Sequence, residues 1–349
     1  MSSERHRLFD QIGLYLEYGM SRQLRPKTIV AYKQGLKLFE KWAREKENIK
    51  YCEDVSEAMI RRYIIDLQNR GKYTFNLKPD DELNNNPWNR PDYNAQISNV
   101  TINNYIRYMR AFFNWLEEEG IIEKTPMKRI RVLPSEREPK EYLEDEEFLR
   151  IISVLDRRSF SEFRDMIAMM IMLDSGTRIG ETLSITEKQV DLKERTIFLP
   201  ADKTKGRRAR MVFFSKQTST EIRKWIKIKN KVITSELLFP SMKTLDQISV
   251  SGFEDRFREY INRAGIKKRI SPHTLRNNFA KRCLLSGMDI YTLSRILGHS
   301  SVTVTEEAYL DIKDLELKGK YQIHSPIKSI YRKGTANHCN SGILCHDVE

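Results

Sequence analysis

A proline-containing break between residues 126 and 139 divides the hydrophobic pattern of this chain into two blocks. Before the break, apolar residues recur every three or four positions, as amphipathic helices require, for example at Ile29, Tyr32, Leu36 and Phe39. After the break, helical patterns alternate with short runs of β type. Because a proline disfavours helix at the preceding residue, such a break is typical of an extended connector between domains. A length of 349 residues also favours about two domains.

We divide the chain accordingly into a helical domain, a linker, a second domain and a tail, at residues 1–133, 134–141, 142–325 and 326–349. The helical domain contains a polar, asparagine-rich insertion with prolines at 71–99, predicted to be either ordered or a mobile loop. In the second domain, three β-type runs lie between helical segments, at 189–192, 196–199 and 210–214. The predicted fold class is therefore mainly α with one small antiparallel β-sheet.

The charge of the chain indicates a polyanionic partner. Lys and Arg total 61 against 48 acidic residues, which gives a formal net charge of +13. Nucleic acid fits this field, although a ribosomal or membrane-surface protein would carry a similar charge. The chain contains no apolar run of the roughly 20 residues that a membrane span needs, and its start lacks a secretory signal. With four scattered cysteines, we expect a cytoplasmic protein without structural disulfides.

Two basic residues of the second domain are candidates for phosphate contact. Arg178 stands in a glycine-flanked segment, Ser175–Glu181, where a guanidinium can donate two hydrogen bonds to a phosphate. The alternative is a structural pair between Arg178 and Glu181, which is preferable for an isolated arginine. Lys205 lies in a basic turn between two β-type runs, at a tip that could enter a groove of DNA. Its alternative is an ordinary solvated hairpin turn.

A second group of candidates follows at the start and end of predicted helices. In Ser271–Arg276, serine and proline favour a helix start, so that His273 and Arg276 share a face near a helix end that attracts anions. This segment fits a phosphate site and a satisfied surface cap equally well. His299 follows a helix that ends at Gly298, and Tyr309 lies in a segment with capping-box spacing. Taken alone, each of these two residues is more often structural.

The ordered set of residues resembles the tyrosine recombinase, or phage integrase, family. The resemblance covers nearly the whole chain and rests on the segments SGTRIGE, HTLR and LGHSS, in the order Arg, Lys, His-x-x-Arg, His, Tyr. It implies a helical core-binding (SAM-like) domain and a mixed α/β catalytic domain that form a C-shaped DNA clamp. Among members of the family, the chain is most similar to Xer-type and mobile-element integrases.

The resemblance also assigns roles to individual residues. The implied catalytic residues are Arg178, Lys205, His273, Arg276, His299 and Tyr309, with Glu181 in support. The two arginines would clamp the scissile phosphate, with His299 adding a hydrogen bond, while His273 helps to deprotonate the nucleophile Tyr309 and Lys205 protonates the leaving 5′ oxygen. Around the hairpin, the residues expected to bind DNA are Lys203, Thr204, Arg207, Arg208 and Arg210. Tyr309 lies ten residues after His299 instead of the family's usual nine, and the loop 300–305 is expected to absorb the difference.

The family implies double-stranded DNA as the partner, a homotetramer that pairs two recombination sites, and an accessory directionality factor in some systems. No metal ion, cofactor or ATP is expected, because guanidinium groups neutralise the phosphate and the phosphotyrosyl link stores the energy for rejoining. The spacing of His338, Cys339, Cys345 and His346 in the tail is not that of a standard zinc finger. Three alternatives stay open: a Xer-like resolvase, a catalytically silent DNA-binding protein on the same scaffold, and a type IB topoisomerase.

Overall fold

The computed structural model describes residues 5–76, 86–135, 141–204, 206, 208–299 and 301–306. The chain divides into two compact units, Met1–Arg137 and Glu138–Glu349. Within the described ranges, the two units are mainly helical, and the second contains one small sheet. This is the fold class that the sequence predicts. No helix in these ranges is long and apolar enough to cross a membrane.

The first unit is built from helices α1 to α4, which are Leu8–Ser21, Pro26–Lys46, Glu57–Asn69 and Asn99–Glu118. Ser56 and Ser98 cap α3 and α4 by accepting hydrogen bonds from main-chain N–H groups of the first turn. The four helices bury a core rich in aromatic rings. At its centre, Phe39 and Phe113 meet edge to face with their ring centroids 5.9 Å apart.

Two segments that the sequence places outside this core are tied to it. The ends of the 71–99 insertion pair with each other, since the main-chain N–H of Lys72 donates to the Ala95 carbonyl at 2.8 Å. Residues 77–85 lie outside the described ranges. Just after α4, Met127 and Ile130 are buried in the core, so the first part of the 126–139 segment is not an extended connector. The Asn103 side chain then holds Leu133 through hydrogen bonds of 2.7 and 2.9 Å.

The second unit contains helices α5 to α12 and strands β1 to β3. The helices are Asp145–Ser153, Phe160–Ser175, Ile179–Leu183, Lys216–Val232, Val250–Arg263, Pro272–Leu285, Ile290–Leu297 and Thr303–Glu306. The strands are Val190–Asp191, Thr196–Leu199 and Arg210–Phe213, in the antiparallel order β1-β2-β3 with Ile197 opposite Val212. All three predicted strands are thus present, with β1 shorter than the predicted run.

Helix α6 is the central element of the second unit. It is buried on nearly every side and packs against α8 and α10. It ends at Gly176, whose φ of +66° is left-handed and favours glycine. A Cβ atom at this position would lie 2.4 Å from Phe279 and 2.8 Å from Leu297. Residue 176 must therefore be a glycine. The turn that this glycine forms after α6 brings Arg178 beside α10 and α11.

Candidate active site

Three turns of the second unit carry the candidate residues. Arg178 lies just before α7, Arg276 lies in the second turn of α10, and His299 follows the glycine that ends α11. That glycine, Gly298, has a φ of +64°, and a Cβ atom there would approach the Arg210 side chain to 2.9 Å. The two glycines of the sequence motifs therefore allow the close approach that assembles the site.

Arg276 is the centre of this cluster. Its side chain is buried, with 3% of the residue surface exposed. Nη1 donates to the Gly176 carbonyl at 2.6 Å, and Nη2 donates to the Leu297 carbonyl at 2.8 Å. Nη2 also lies 2.9 Å from Nε2 of His299. Burial, together with the positive charges of Arg178 and Arg210, lowers the pKa of Arg276 to about 9, so the guanidinium stays protonated at neutral pH.

Glu181 supplies the negative charge of the cluster. It accepts hydrogen bonds from Arg178 Nη1 at 2.9 Å and from Arg210 Nη2 at 2.7 Å, and also from the main-chain N–H of Arg178. Burial alone would raise the pKa of Glu181, but the hydrogen bonds and charges of these arginines lower it to about 2. The structural pair between Arg178 and Glu181 is therefore present, and it orients the arginine within the cluster.

His299 is neutral in this environment. Burial lowers its pKa to about 4, together with the positive charges of Arg276, Arg178 and Arg210 and a contribution from His273. His273, at the exposed start of α10, is thus close enough to act on His299 electrostatically. Three guanidinium groups surround one carboxylate and one neutral imidazole, so the cluster has an excess of positive charge. Such a cluster is suited to bind a phosphate.

A cleft of about 640 Å³ opens beside His299, between the β2–β3 hairpin and α11. Its lining includes the exposed basic residues Arg208 and Arg295. Lys203 is also exposed near the hairpin base. The sequence did not single out Arg295, although its place one turn before His299 was a usable signal.

Two of the residues expected to bind DNA, Arg210 and Thr204, have hydrogen-bond partners inside the unit. The Arg210 side chain is 9% exposed and donates to Glu181 and to the Ile296 carbonyl. Thr204 is buried, and its hydroxyl bonds to the Ala201 and Arg208 carbonyls. These contacts fix the base of the hairpin. Lys205, Arg207 and Tyr309 lie outside the described ranges, as does the tail with its cysteines and histidines.

Comparison with known proteins identifies the family. Residues 141–316 match the model described as "Phage integrase family", and residues 12–77 match "Phage integrase, N-terminal SAM-like domain". A tyrosine recombinase of Thermosipho africanus is 29% identical over 62% of this chain and 73% of its own length. The tyrosine recombinase XerC of Yersinia pestis is 23% identical over 88% of this chain and 92% of its own.

Two solved structures share the fold. The Tn1549 transposon integrase, solved with a circular intermediate DNA, covers 92% of this chain and 100% of its own with a TM-score of 0.68 at 17% identity. XerH recombinase, solved with its difH substrate, covers 93% and 100% with a TM-score of 0.68 at 15% identity. The chain therefore belongs to the phage integrase family. It is a tyrosine recombinase, an enzyme of the kind that cleaves and rejoins DNA, as the sequence motifs predict.

Proposed function

We propose that this protein is the site-specific recombinase of a mobile element, which cleaves DNA with Tyr309 and forms a 3′-phosphotyrosyl intermediate. The observation that carries the proposal is the cluster in which Arg178, Arg276 and His299 lie close together with an excess of positive charge, beside the cleft that His299 lines. A phosphodiester gains negative charge on its non-bridging oxygens in the transition state, and preorganised guanidinium groups stabilise that charge.

Arg276 is the main phosphate clamp in this proposal. Among the described residues, its partners are two main-chain carbonyls and the His299 imidazole, which leaves Nε–H and the second Nη1–H for a ligand. Because the carbonyls hold the guanidinium in place before DNA arrives, little reorganisation is needed during reaction. Arg178, held by Glu181, is more exposed and supplies the second set of donors.

The proton transfers are assigned to residues around this clamp. A phenol has a pKa near 10, so Tyr309 must lose its proton as it attacks, and His273 is the proposed acceptor. Lys205 is the proposed donor to the leaving 5′ oxygen. A 5′ hydroxyl of another strand then attacks the phosphotyrosyl link, which restores a phosphodiester and frees the tyrosine without consuming ATP.

The proposed partner is double-stranded DNA at recombination core sites. We propose that the two units form the C-shaped clamp of the family, with residues 134–141 as the linker, and that four copies pair two sites, aided by an accessory directionality factor in some systems. Exposed Lys203, Arg208 and Arg295 are the proposed phosphate contacts beside the pocket. The proposed place of action is the cytoplasm, at the nucleoid.

A Xer-like resolvase is the second candidate, because the curated relatives include XerC and XerD proteins. The insertion at 71–99, whose ends pair with each other, favours a mobile-element enzyme, since the extra length of the chain lies in this insertion and in the tail. Sequencing the DNA that becomes covalently joined to the protein in cells separates the two functions. Adducts at the ends of an element support the integrase, and adducts confined to one chromosomal site support the resolvase.

Covalent trapping tests the nucleophile. On a duplex that carries a nick beside the cleavage site, the wild-type protein should accumulate a denaturant-resistant protein–DNA adduct, and Tyr309→Phe should abolish it because the phenol oxygen is gone. Tyr291→Phe is the matched control, since Tyr291 is 69% exposed on α11 of the same unit. Tyr321 is the next tyrosine along the chain, and an adduct that survives Tyr309→Phe but disappears in Tyr321→Phe would assign the nucleophile to Tyr321.

A further inference from the structure

The imidazole of His299 is held between two partners. Its Nε2 lies 2.9 Å from Nη2 of Arg276, and its Nδ1 lies 2.8 Å from Oγ1 of Thr305. A guanidinium group can only donate hydrogen bonds, so Nε2 must be the acceptor in the first contact. A neutral imidazole then carries its hydrogen on Nδ1, and Nδ1–H donates to the threonine hydroxyl.

Thr305 is placed firmly enough to impose this choice. The residue is 1% exposed, and its main-chain N–H donates at 2.7 Å to the carbonyl of Val302, the residue just before the short helix α12. Because the Thr305 hydroxyl is buried, little water competes with it for the His299 imidazole. Without an acceptor at this position, the Nδ1–H group of the half-buried His299 would be left unsatisfied beside the buried Thr305, which is unfavourable.

We propose that Thr305 is a positioning residue that fixes the Nδ1–H tautomer of His299, so that the Nε2 lone pair holds the guanidinium of Arg276 in its phosphate-binding orientation. The inference rests on the proposed catalytic roles of His299 and Arg276. In the opposite tautomer, Nε2–H would face the guanidinium donor to donor, and the two groups would separate. Thr305 also stands four positions before Tyr309 in the sequence. The contact of its hydroxyl with His299 therefore links the segment that leads to the proposed nucleophile with the cluster around Arg276.

Three substitutions separate the hydroxyl from the volume of the side chain. Thr305→Val removes the acceptor at nearly constant size, and Thr305→Ser keeps it. Thr303→Val is the control, because Thr303 is an exposed threonine of the same helix. With the full-length protein at saturating concentration on a nicked duplex, we expect Thr305→Val to slow single-turnover cleavage by roughly 10- to 30-fold. DNA affinity should change by less than about 2-fold, and Thr305→Ser and Thr303→Val should stay within about 3-fold of wild type.

The tautomer of His299 is a second readout, because a purely structural role of Thr305 would leave it unchanged. In protein with ¹⁵N-labelled histidine, the His299 signal, assigned by its loss in His299→Gln, should show a protonated Nδ1 in the wild type and in Thr305→Ser. Thr305→Val should lose this preference. If Thr305→Val does not fold, the wild-type tautomer and the Thr305→Ser rate still test the proposal.

The outcomes distinguish this inference from the function on which it rests. A protonated Nε2 in the wild type would overturn the inference, and so would normal cleavage by Thr305→Val, or slow cleavage with an unchanged tautomer. Each of these results leaves the proposed function intact as long as His299→Gln is impaired. Normal cleavage by His299→Gln would instead contradict the proposed catalytic role of His299.

Discussion

The two units bury different kinds of side chain. In the described part of the first unit, the buried polar residues are uncharged, namely Gln11 and Asn103, and the core is dominated by aromatic rings. The second unit buries charged residues beside its apolar core, among them Asp165, Glu181 and Arg276. A charge that leaves water must be compensated by partners. The first unit therefore illustrates stability from packing, and the second illustrates chemistry maintained by paired charges.

The buried charges of the second unit are themselves of two kinds. Asp165 accepts hydrogen bonds from Arg164, Arg256 and Tyr260, and these contacts tie α6 to α9. The cluster around Glu181 contains three arginines from three separate segments, and two of them, Arg178 and Arg276, keep unused donors among the described residues. Substitutions in the cluster around Glu181 should therefore reduce DNA cleavage, whereas substitutions in the aromatic core of the first unit should reduce the stability of the fold.

Arg276→Ala should give the largest effect. We expect cleavage to fall by about 10³-fold or more, because a buried donor to the transition-state charge is lost, while DNA affinity changes little. Single-turnover cleavage and equilibrium binding on the same duplex measure the two quantities. Arg256→Ala is the control, since it removes a buried arginine contact away from the pocket. Equal losses of cleavage and binding in Arg276→Ala would assign the residue to general DNA affinity.

Phe113→Ala should lower the stability of the first unit and leave the rate of DNA cleavage by the folded protein unchanged. Removing a fully buried ring from the aromatic core should lower the free energy of unfolding of the first unit by about 4 kcal/mol. Hydrogen exchange of the full-length protein can locate the loss, because amides of α2 and α4 should exchange faster while those of α6 and α10 do not. Faster exchange in both units would show that their cores unfold together.

Glu181→Gln should have a smaller effect on stability that depends on pH. The pKa of Glu181 lies at about 2 in the folded protein, below its ordinary value of 4.5, so ionised Glu181 stabilises the fold above pH 4.5. This shift corresponds to about 3 kcal/mol at neutral pH. The difference between wild type and variant should shrink as pH falls from 4.5 to 2, which denaturant unfolding at several pH values can follow.

Glu40 in the first unit is the matched control for that experiment. Burial raises the pKa of Glu40, with only partial compensation by Arg44, so its ionised form opposes folding at neutral pH. Glu40→Gln should therefore leave stability within about 0.5 kcal/mol of wild type or raise it slightly. A loss as large as that of Glu181→Gln would remove the contrast between the two units.

Much of this architecture could be predicted because its signals are local. The short β-type run Thr196–Leu199 predicted β2 with its observed bounds, and the Ser-Pro start of α10 predicted where His273 and Arg276 would lie. Helix α8 begins at Lys216, one turn before Thr220, where the apolar periodicity of the sequence indicates the start of a helix. The reason is that Ser215 caps the helix by accepting a hydrogen bond from Thr218, a signal that periodicity does not contain.

Contacts across long sequence separations could not be predicted in this way. Arg210 is predicted from the sequence as a DNA-binding residue beside the basic turn, and the sequence does not show its partners Glu181 and Ile296, which lie 29 and 86 residues away. The Thr305 hydroxyl was missed for a related reason. Thr305 lies inside the short helix α12, and only the folded chain brings its hydroxyl against His299, six residues earlier. The apolar pattern thus predicts the scaffold, while the pairing of charges depends on the assembled fold.

The anchoring of Arg210 has a consequence for changing the target of the enzyme. Since this one side chain secures β3 to α7 and to α11, the loop residues other than Thr204 and the proposed proton donor Lys205 can be exchanged while β3 stays anchored. Libraries aimed at altered DNA preference should therefore vary Gly206, Arg207 and Arg208 and keep Thr204, Lys205 and Arg210 constant. New target preferences can evolve in the same way, through changes at the tip of the β2–β3 hairpin while Arg210 at its base stays the same.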